Sequence, residues 1–288
     1  MNGAPVSSFA EDRTGRSRES SSTREVVATP GKMALYVIAS LWWRDMIHLI
    51  RERSRWVGVI VQPLIFWALI GVGMGGALAR FGGEGDYLAY FFPGIIAMIV
   101  LFTAVFATMS VIEDRQRGFL QQVMVLPSSR AAVVLGKTAG VTTMAVLQVT
   151  LTMLVAPLAD VQLLAVHWPL FFAVLVLGCA GLTALNFSLA WVVNSTAGYH
   201  GVMAVVMLPL WVLSGAMFPA GEGWMAWAMR LNPMAYLVDG LRHAMAGGIS
   251  ADANFGVGVG VSVLAGTAVV FTALAVRTVA RSTQKAKV

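Results

Sequence analysis

The sequence predicts an all-α membrane protein with six transmembrane helices, and three observations predict it. Of its 288 residues, 58% are hydrophobic and only 12% are charged, against about a quarter charged in ordinary soluble chains. The apolar residues gather into six runs, each near the roughly 20 residues a helix needs to cross a bilayer. The basic residues are unevenly placed: of 20 Lys and Arg, all except Arg80, Arg230 and Arg242 lie before the first run, between the second and third, or after the sixth. An even number of spans puts those three segments on one side, which the basic excess marks as the cytoplasm, so both termini are predicted inside. In such a chain the net charge of +6 reports topology, and no nucleic-acid partner is expected.

Residues 1–31 are rich in Ser, Arg and Glu without an apolar core, so they are predicted to be a disordered cytoplasmic tail and no secretory signal. From 32 to 55, Leu35, Ile38, Leu41, Trp42, Met46, Leu49 and Ile50 recur at helical spacing while Arg44, Asp45, Arg51, Glu52 and Arg53 interrupt any spanning run. That pattern predicts an interfacial helix on the membrane surface. The six spans are predicted at 56–78, 91–112, 138–158, 168–193, 201–218 and 255–276, and 277–288 form a second cytoplasmic tail. Together 32–276 make one permeation-sized domain. Pro63, after Gln62, is expected to kink the first span.

The loop from Glu113 to Lys137 is the one charged interruption between the second and third spans. Within it Phe119, Leu120, Val123 and Met124 form one apolar edge at helical spacing. Pro127 ends that short helix, because it lacks an amide hydrogen and disfavours the α conformation before it. Such a loop is either a docking surface for a cytoplasmic partner or a connector lying on lipid headgroups. Between the fifth and sixth spans, 219–254 is too interrupted to cross and is predicted to form an outer re-entrant hairpin of two helices. Trp224, Trp227, Ala228 and Leu231 give the first its apolar face. Asn232 caps the second and Pro233 opens it; Asp239 is spaced to pair with Arg242 or His243.

Several chemistries find no support in the residues. Gly136-Lys137-Thr138 resembles the end of a phosphate-binding loop, but Ala131 stands where that loop needs its first glycine and the intervening residues are helical. The four histidines are scattered, and the single cysteine, Cys179, excludes an internal disulfide. Gln62, Gln148 and Asn186 are the strongly polar residues within spans; they either bond neighbouring helices or line a path for a transported molecule. No carboxylate lies well inside a span, which leaves a proton-driven secondary transporter little to work with. An integral membrane enzyme would have only Asp239, Arg242 and His243 to use.

Two stretches resemble the type-2 exporter permeases of ATP-binding-cassette transporters, the group with daunorubicin-resistance and nodulation-factor permeases. In EDRQRGFLQQVMVLPSSRAAVVLGK, Glu113, Arg115, Gly118 and Pro127 match the group's loop pattern. In LPLWVLSGAMFPAGEGWMAWAMRLNPMAYLVDGLRH, Ser214, Gly215, Pro219, Asn232, Pro233, Tyr236, Asp239 and Arg242 match its C-terminal signature, which is the more specific of the two. The departure is Gly221-Glu222-Gly223, where the group usually has a proline-containing turn. The resemblance covers about 32–276. It implies a half-transporter in the inner (plasma) membrane that exports a hydrophobic or amphipathic compound: drug-like, lipid or glycolipid. It implies a separate ATPase subunit that binds ATP and Mg, with no cofactor on this chain, and a second copy or a paralogous permease beside it. The loop becomes a coupling helix, with Glu113, Arg115, Gly118, Phe119, Val123, Met124 and Pro127 as its contact and shaping residues.

Overall fold

The computed structural model describes residues 30–51, 53–80, 87–118, 130–193, 195–219 and 223–285, and its regular structure among them is entirely helical. In chain order these are α1 (Pro30–Arg51), α2 (Arg53–Arg80), α3 (Tyr87–Gln116), α4 (Arg130–Thr152, continued by a 3-10 turn, Met153–Ala159), α5 (Trp168–Val192), α6 (Thr196–Val202), a π-helical turn (Met203–Met207), α7 (Leu208–Val212), α8 (Trp224–Leu231), α9 (Pro233–Met245) and α10 (Val257–Lys285). Phe119, Val123, Met124 and Pro127 lie outside the described residues, as do both predicted tails apart from 30–31 and 277–285.

Among the described residues, four helical stretches are long and apolar enough to cross a membrane: Tyr87–Gln116, Arg130–Ala159, Trp168–Val192 and Val257–Ala280. They correspond to the second, third, fourth and sixth predicted spans. The first and fifth fall on shorter apolar stretches, Gly58–Met74 and Thr196–Val212. α2 continues as helix through Pro63.

α3 forms the centre of the bundle. It is apolar all round, and every residue from Phe91 to Val105 is buried, as expected of a helix packed on several sides. It meets α2, α4, α5 and α9, while α5 runs against α10. Small residues set the close approaches: a Cβ on Gly94 would lie 2.9 Å from the Ala216 backbone, so no larger residue fits there. A second, smaller core brings Val37 and Leu41 of α1 together with Val111, Val134, Phe187, Trp191, Ala275 and Val279. It gathers the last turns of α3, α5 and α10 and the first of α4 at one end of the bundle.

Two polar side chains inside the bundle, Gln148 and Asn186, are paired across helices. The Thr103 hydroxyl on α3 donates to Gln148 Oε1 on α4 at 2.5 Å. Tyr199 on α6 donates to Asn186 Oδ1 on α5 at 2.6 Å, and Asn186 Nδ2 donates to Leu182 O. Gln62 is exposed on α2. Gln148 and Asn186 thus each bond a side chain on a neighbouring helix, while Gln62 faces outward.

Candidate functional site

The end of the bundle where α3 stops and α4 starts carries a buried layer of charge. Lys137, on the first turns of α4, is 2% exposed, and its Nζ lies 2.8 Å from Asp45 Oδ1 on α1 and 3.6 Å from Asp114 Oδ2 on α3. Arg44 on α1 pairs with the same Asp114 carboxylate. Two acids and two bases thus neutralise one another, the condition under which charge is tolerated in an interior. α1 can lie this close because Gly136 and Gly140 leave a groove on α4: a Cβ at 136 would stand 3.1 Å from the Ile38 backbone, and one at 140 would stand 3.0 Å from the Asp45 carboxylate.

The consequence is mechanical. Asp114 lies in the last turn of α3 and Lys137 two turns into α4, and α1 grips both. Arg115 adds a third tie, donating to the carbonyls of Trp191 at 3.2 Å and Val193 at 2.9 Å at the end of α5, where a cation complements the unpaired C-terminal carbonyls. Its guanidinium also stands 5.2 Å from the Trp191 ring centroid. Glu113 is partly exposed and makes a 3.5 Å contact with Arg117 one turn on. Gly118 closes α3 with φ of 77°, a left-handed conformation that favours glycine over any side chain; the space beside it is open.

At the opposite end, α9 is buried along its whole length. Asn232 accepts from Met234 N at 2.9 Å and donates to Leu210 O, so it caps the helix and ties it to α7. Arg242 donates to Asp239 Oδ1 at 3.0 Å and to Gly215 O at 2.7 Å, and sits 4.2 Å over the Tyr90 ring. Gly215 takes φ of 77°, and its carbonyl also accepts from Tyr90. Asp239 further accepts from the backbone N–H groups of Asn254 and Phe255. Burial pushes the Asp239 carboxyl above its ordinary range, opposed by Arg242 and by those two N–H groups. His243 receives Ser250 N–H on Nδ1 and donates from Nε2 to Phe255 O. Asp239 and His243 therefore hold α9 to the turn before α10, while Arg242 ties α9 to Gly215 after α7. Ser214 is buried and bonds to Trp211 O, Tyr236 bonds to Arg230 O, and Pro219 is exposed. On α8 the predicted apolar face, Trp224, Trp227 and Leu231, is exposed, and Met229 is the buried residue.

Thus the structure brings together Ser214, Gly215, Asn232, Tyr236, Asp239 and Arg242 at one end, and Glu113, Arg115 and Gly118 at the other. Sequence reasoning passed over Arg44, Asp45 and Asp114 as a set. A signal was present: Asp114 closes one apolar run and Lys137 opens the next, at the same depth.

Comparison with known proteins agrees with this architecture. Residues 36–246 match the family model described as ABC-2 type transporter. The chain is 26% identical to the daunorubicin resistance ABC transporter permease protein DrrB1 of Streptomyces coeruleorubidus over 82% of its own length and 83% of that protein. It is 28% identical to nodulation protein J of Rhizobium leguminosarum bv. trifolii, over 77% and 85% of the two chains. It is 27% identical to a ycf38 transport permease of Cyanophora paradoxa, over 69% and 70%. Membership implies a transport permease that works with an ATP-binding-cassette ATPase. With the family model spanning most of the helical bundle and both charged ends just described, this chain belongs to the ABC-2 type transporter family.

Proposed function

We propose that the chain is the membrane half of an ATP-driven exporter that moves a hydrophobic or amphipathic compound out of the cytoplasm. A separate ATPase subunit binds ATP and Mg, and a second copy or a paralogous permease completes the transporter. The observation that carries this reading is the bracing of the helix ends on either side of 119–129, through Arg44–Asp114, Lys137–Asp45 and Arg115 with the end of α5. Helix ends that merely led into a connector would have no need of three polar ties to separate helices. A push on an anchored loop is passed to α1, α3, α4 and α5 together, because packed helices move as rigid bodies.

The six-span topology with both termini inside belongs to the same reading. Cys179, the sole cysteine, is buried, so introduced cysteines report without background. Ser250→Cys should react with an impermeant thiol reagent in intact cells, and Ser128→Cys should be protected until the membrane is opened. Labelling of Ser128→Cys from outside would reverse the orientation.

For the loop itself, Phe119→Ala, Gly118→Trp and Glu113→Ala should leave the permease in the membrane yet release the ATPase or lower its substrate-stimulated turnover. Loss of an apolar anchor commonly costs more than about 1 kcal/mol of binding, roughly a fivefold fall in affinity. Unchanged ATPase retention and activity in all three variants would reduce the loop to a connector.

A further inference from the structure

Near the N-terminal end of α3, the turn after α4, the segment 217–219 and the end of α9 enclose a cavity of about 760 Å³. That volume lies within the roughly 300–1,000 Å³ of small-molecule sites. Tyr87, Met217, Phe218 and Met245 give it apolar walls. The hydroxyls of Tyr87 and Tyr90 both donate to backbone carbonyls, of Met217 and Gly215, at 3.0 Å, so their hydrogens are committed to the fold and not offered to a ligand.

Three of the cavity's described lining residues carry charge. Arg242 is the one base among its described lining residues, and it is already engaged with Asp239, Gly215 and Tyr90. Asp160 and Asp252 also line it, both are exposed, and neither has a basic partner among the described residues. Two unneutralised carboxylates against apolar walls focus a negative potential into the cleft. An anion is repelled there, and a neutral apolar molecule gains nothing from the carboxylates. A molecule with an apolar body and a positive group satisfies both features at once.

We propose that this cavity binds cationic amphiphiles, with the apolar body against Tyr87, Met217, Phe218 and Met245 and the amine or quaternary ammonium toward Asp160 and Asp252. Its place in transport rests on the export reading, which puts it on the outer side as a station on the exit path; the binding chemistry does not depend on that reading. An exported compound and an amine-bearing lipid headgroup share this chemistry.

The test uses the full-length transporter in maltoside micelles, without ATP, and follows fluorescence anisotropy of the cation rhodamine 6G and the anion fluorescein. Rhodamine 6G should bind saturably and fluorescein weakly. The Asp160→Asn/Asp252→Asn variant should lose affinity for rhodamine 6G by about tenfold or more. Asparagine tolerates the left-handed backbone that Asp160 adopts, with φ of 52°, so the fold is kept. Met245→Trp, which fills the cavity while leaving the carboxylates in place, should weaken binding as well. Equal binding of the two dyes, or full affinity in the double variant, would overturn the proposal. Adding phosphatidylethanolamine then separates the sources: displacement of the dye assigns the cavity to lipid headgroups, and retention assigns it to the exported compound. Because dye binding is read without nucleotide, its failure leaves ATPase retention by the loop untouched, and loss of ATPase retention leaves dye binding intact.

Discussion

Lys137→Met should destabilise the protein by about 3–5 kcal/mol, the usual cost of removing one partner of a buried ion pair. Methionine is close to lysine in length and volume, so little of that cost comes from a cavity. It comes from Asp45, itself only 8% exposed, which loses the ammonium 2.8 Å away. Asp114 keeps Arg44 but loses its second cation. Thermal unfolding of the detergent-solubilised chain reads the loss. The double variant Lys137→Met/Asp45→Leu should recover most of it, because replacing both partners by apolar groups of similar size is often close to neutral. A double variant as unstable as the single one would show that packing at 137, and not charge, sets the stability of this end. The recovered double variant also isolates transmission: folded but without the ion pair between α1 and α4, it should leave its ATPase partner less stimulated by substrate.

That layer marks the limit of what the residues disclosed in advance. α3 was legible because a helix buried on every side must be apolar on every side, and its run has no charge before Glu113. The start of α9 was legible because an Asn-Pro pair is a local device, complete within a few residues. The ion pairs were not local. Lys137 and Asp45 are 92 positions apart, and along the chain each reads as a charge at the edge of an apolar run, suited to water or headgroups. The same cause widens the packed face of α1 beyond the one predicted: Leu41 is buried and Ile38 packs beside it as expected, but Val37 and Asp45 are buried too and Leu35 is exposed, because the groove made by Gly136 and Gly140 receives that side of the helix. Asp160 and Asp252 come to line one cavity only when the turn after α4 folds beside the segment before α10, and no spacing in the sequence announces that. The π-helical turn at Met203–Met207 lies inside an apolar run that gives no sign of it. Polarity within spans was better disclosed. Gln148 and Asn186 stood out as needing partners, though only the fold shows that Thr103 and Tyr199 supply them.

Arg242→Ala should cost about 3 kcal/mol at neutral pH, again within the range for a broken buried pair, and the same lock joins the two halves of the hairpin end. The side chain holds Asp239 and the Gly215 carbonyl while covering the Tyr90 ring, so its removal frees α9 from the segment that follows α7. Arg242→Lys keeps the charge but not the planar fork that serves two acceptors at once; it should fold with an intermediate loss and impaired export. Wild-type export by the lysine variant, at equal membrane levels, would remove any role for the bidentate geometry. The pH dependence then identifies the source of the cost. Burial already holds the Asp239 carboxyl above its ordinary range, and Arg242 is the largest influence opposing it. Without Arg242 the folded-state pKa rises further above the unfolded value. For an acid shifted upward, the fold favours the protonated form, so stability is highest in acid and is lost as pH rises through the folded pKa. His243 and Tyr90 also stand at this site, so the quantity to follow is the difference between variant and wild type at each pH. That difference should be smallest in acid and widen as pH rises above the ordinary carboxylate range. A difference that stays constant with pH would mean that Arg242 contributes by packing on Tyr90 and not by neutralising Asp239.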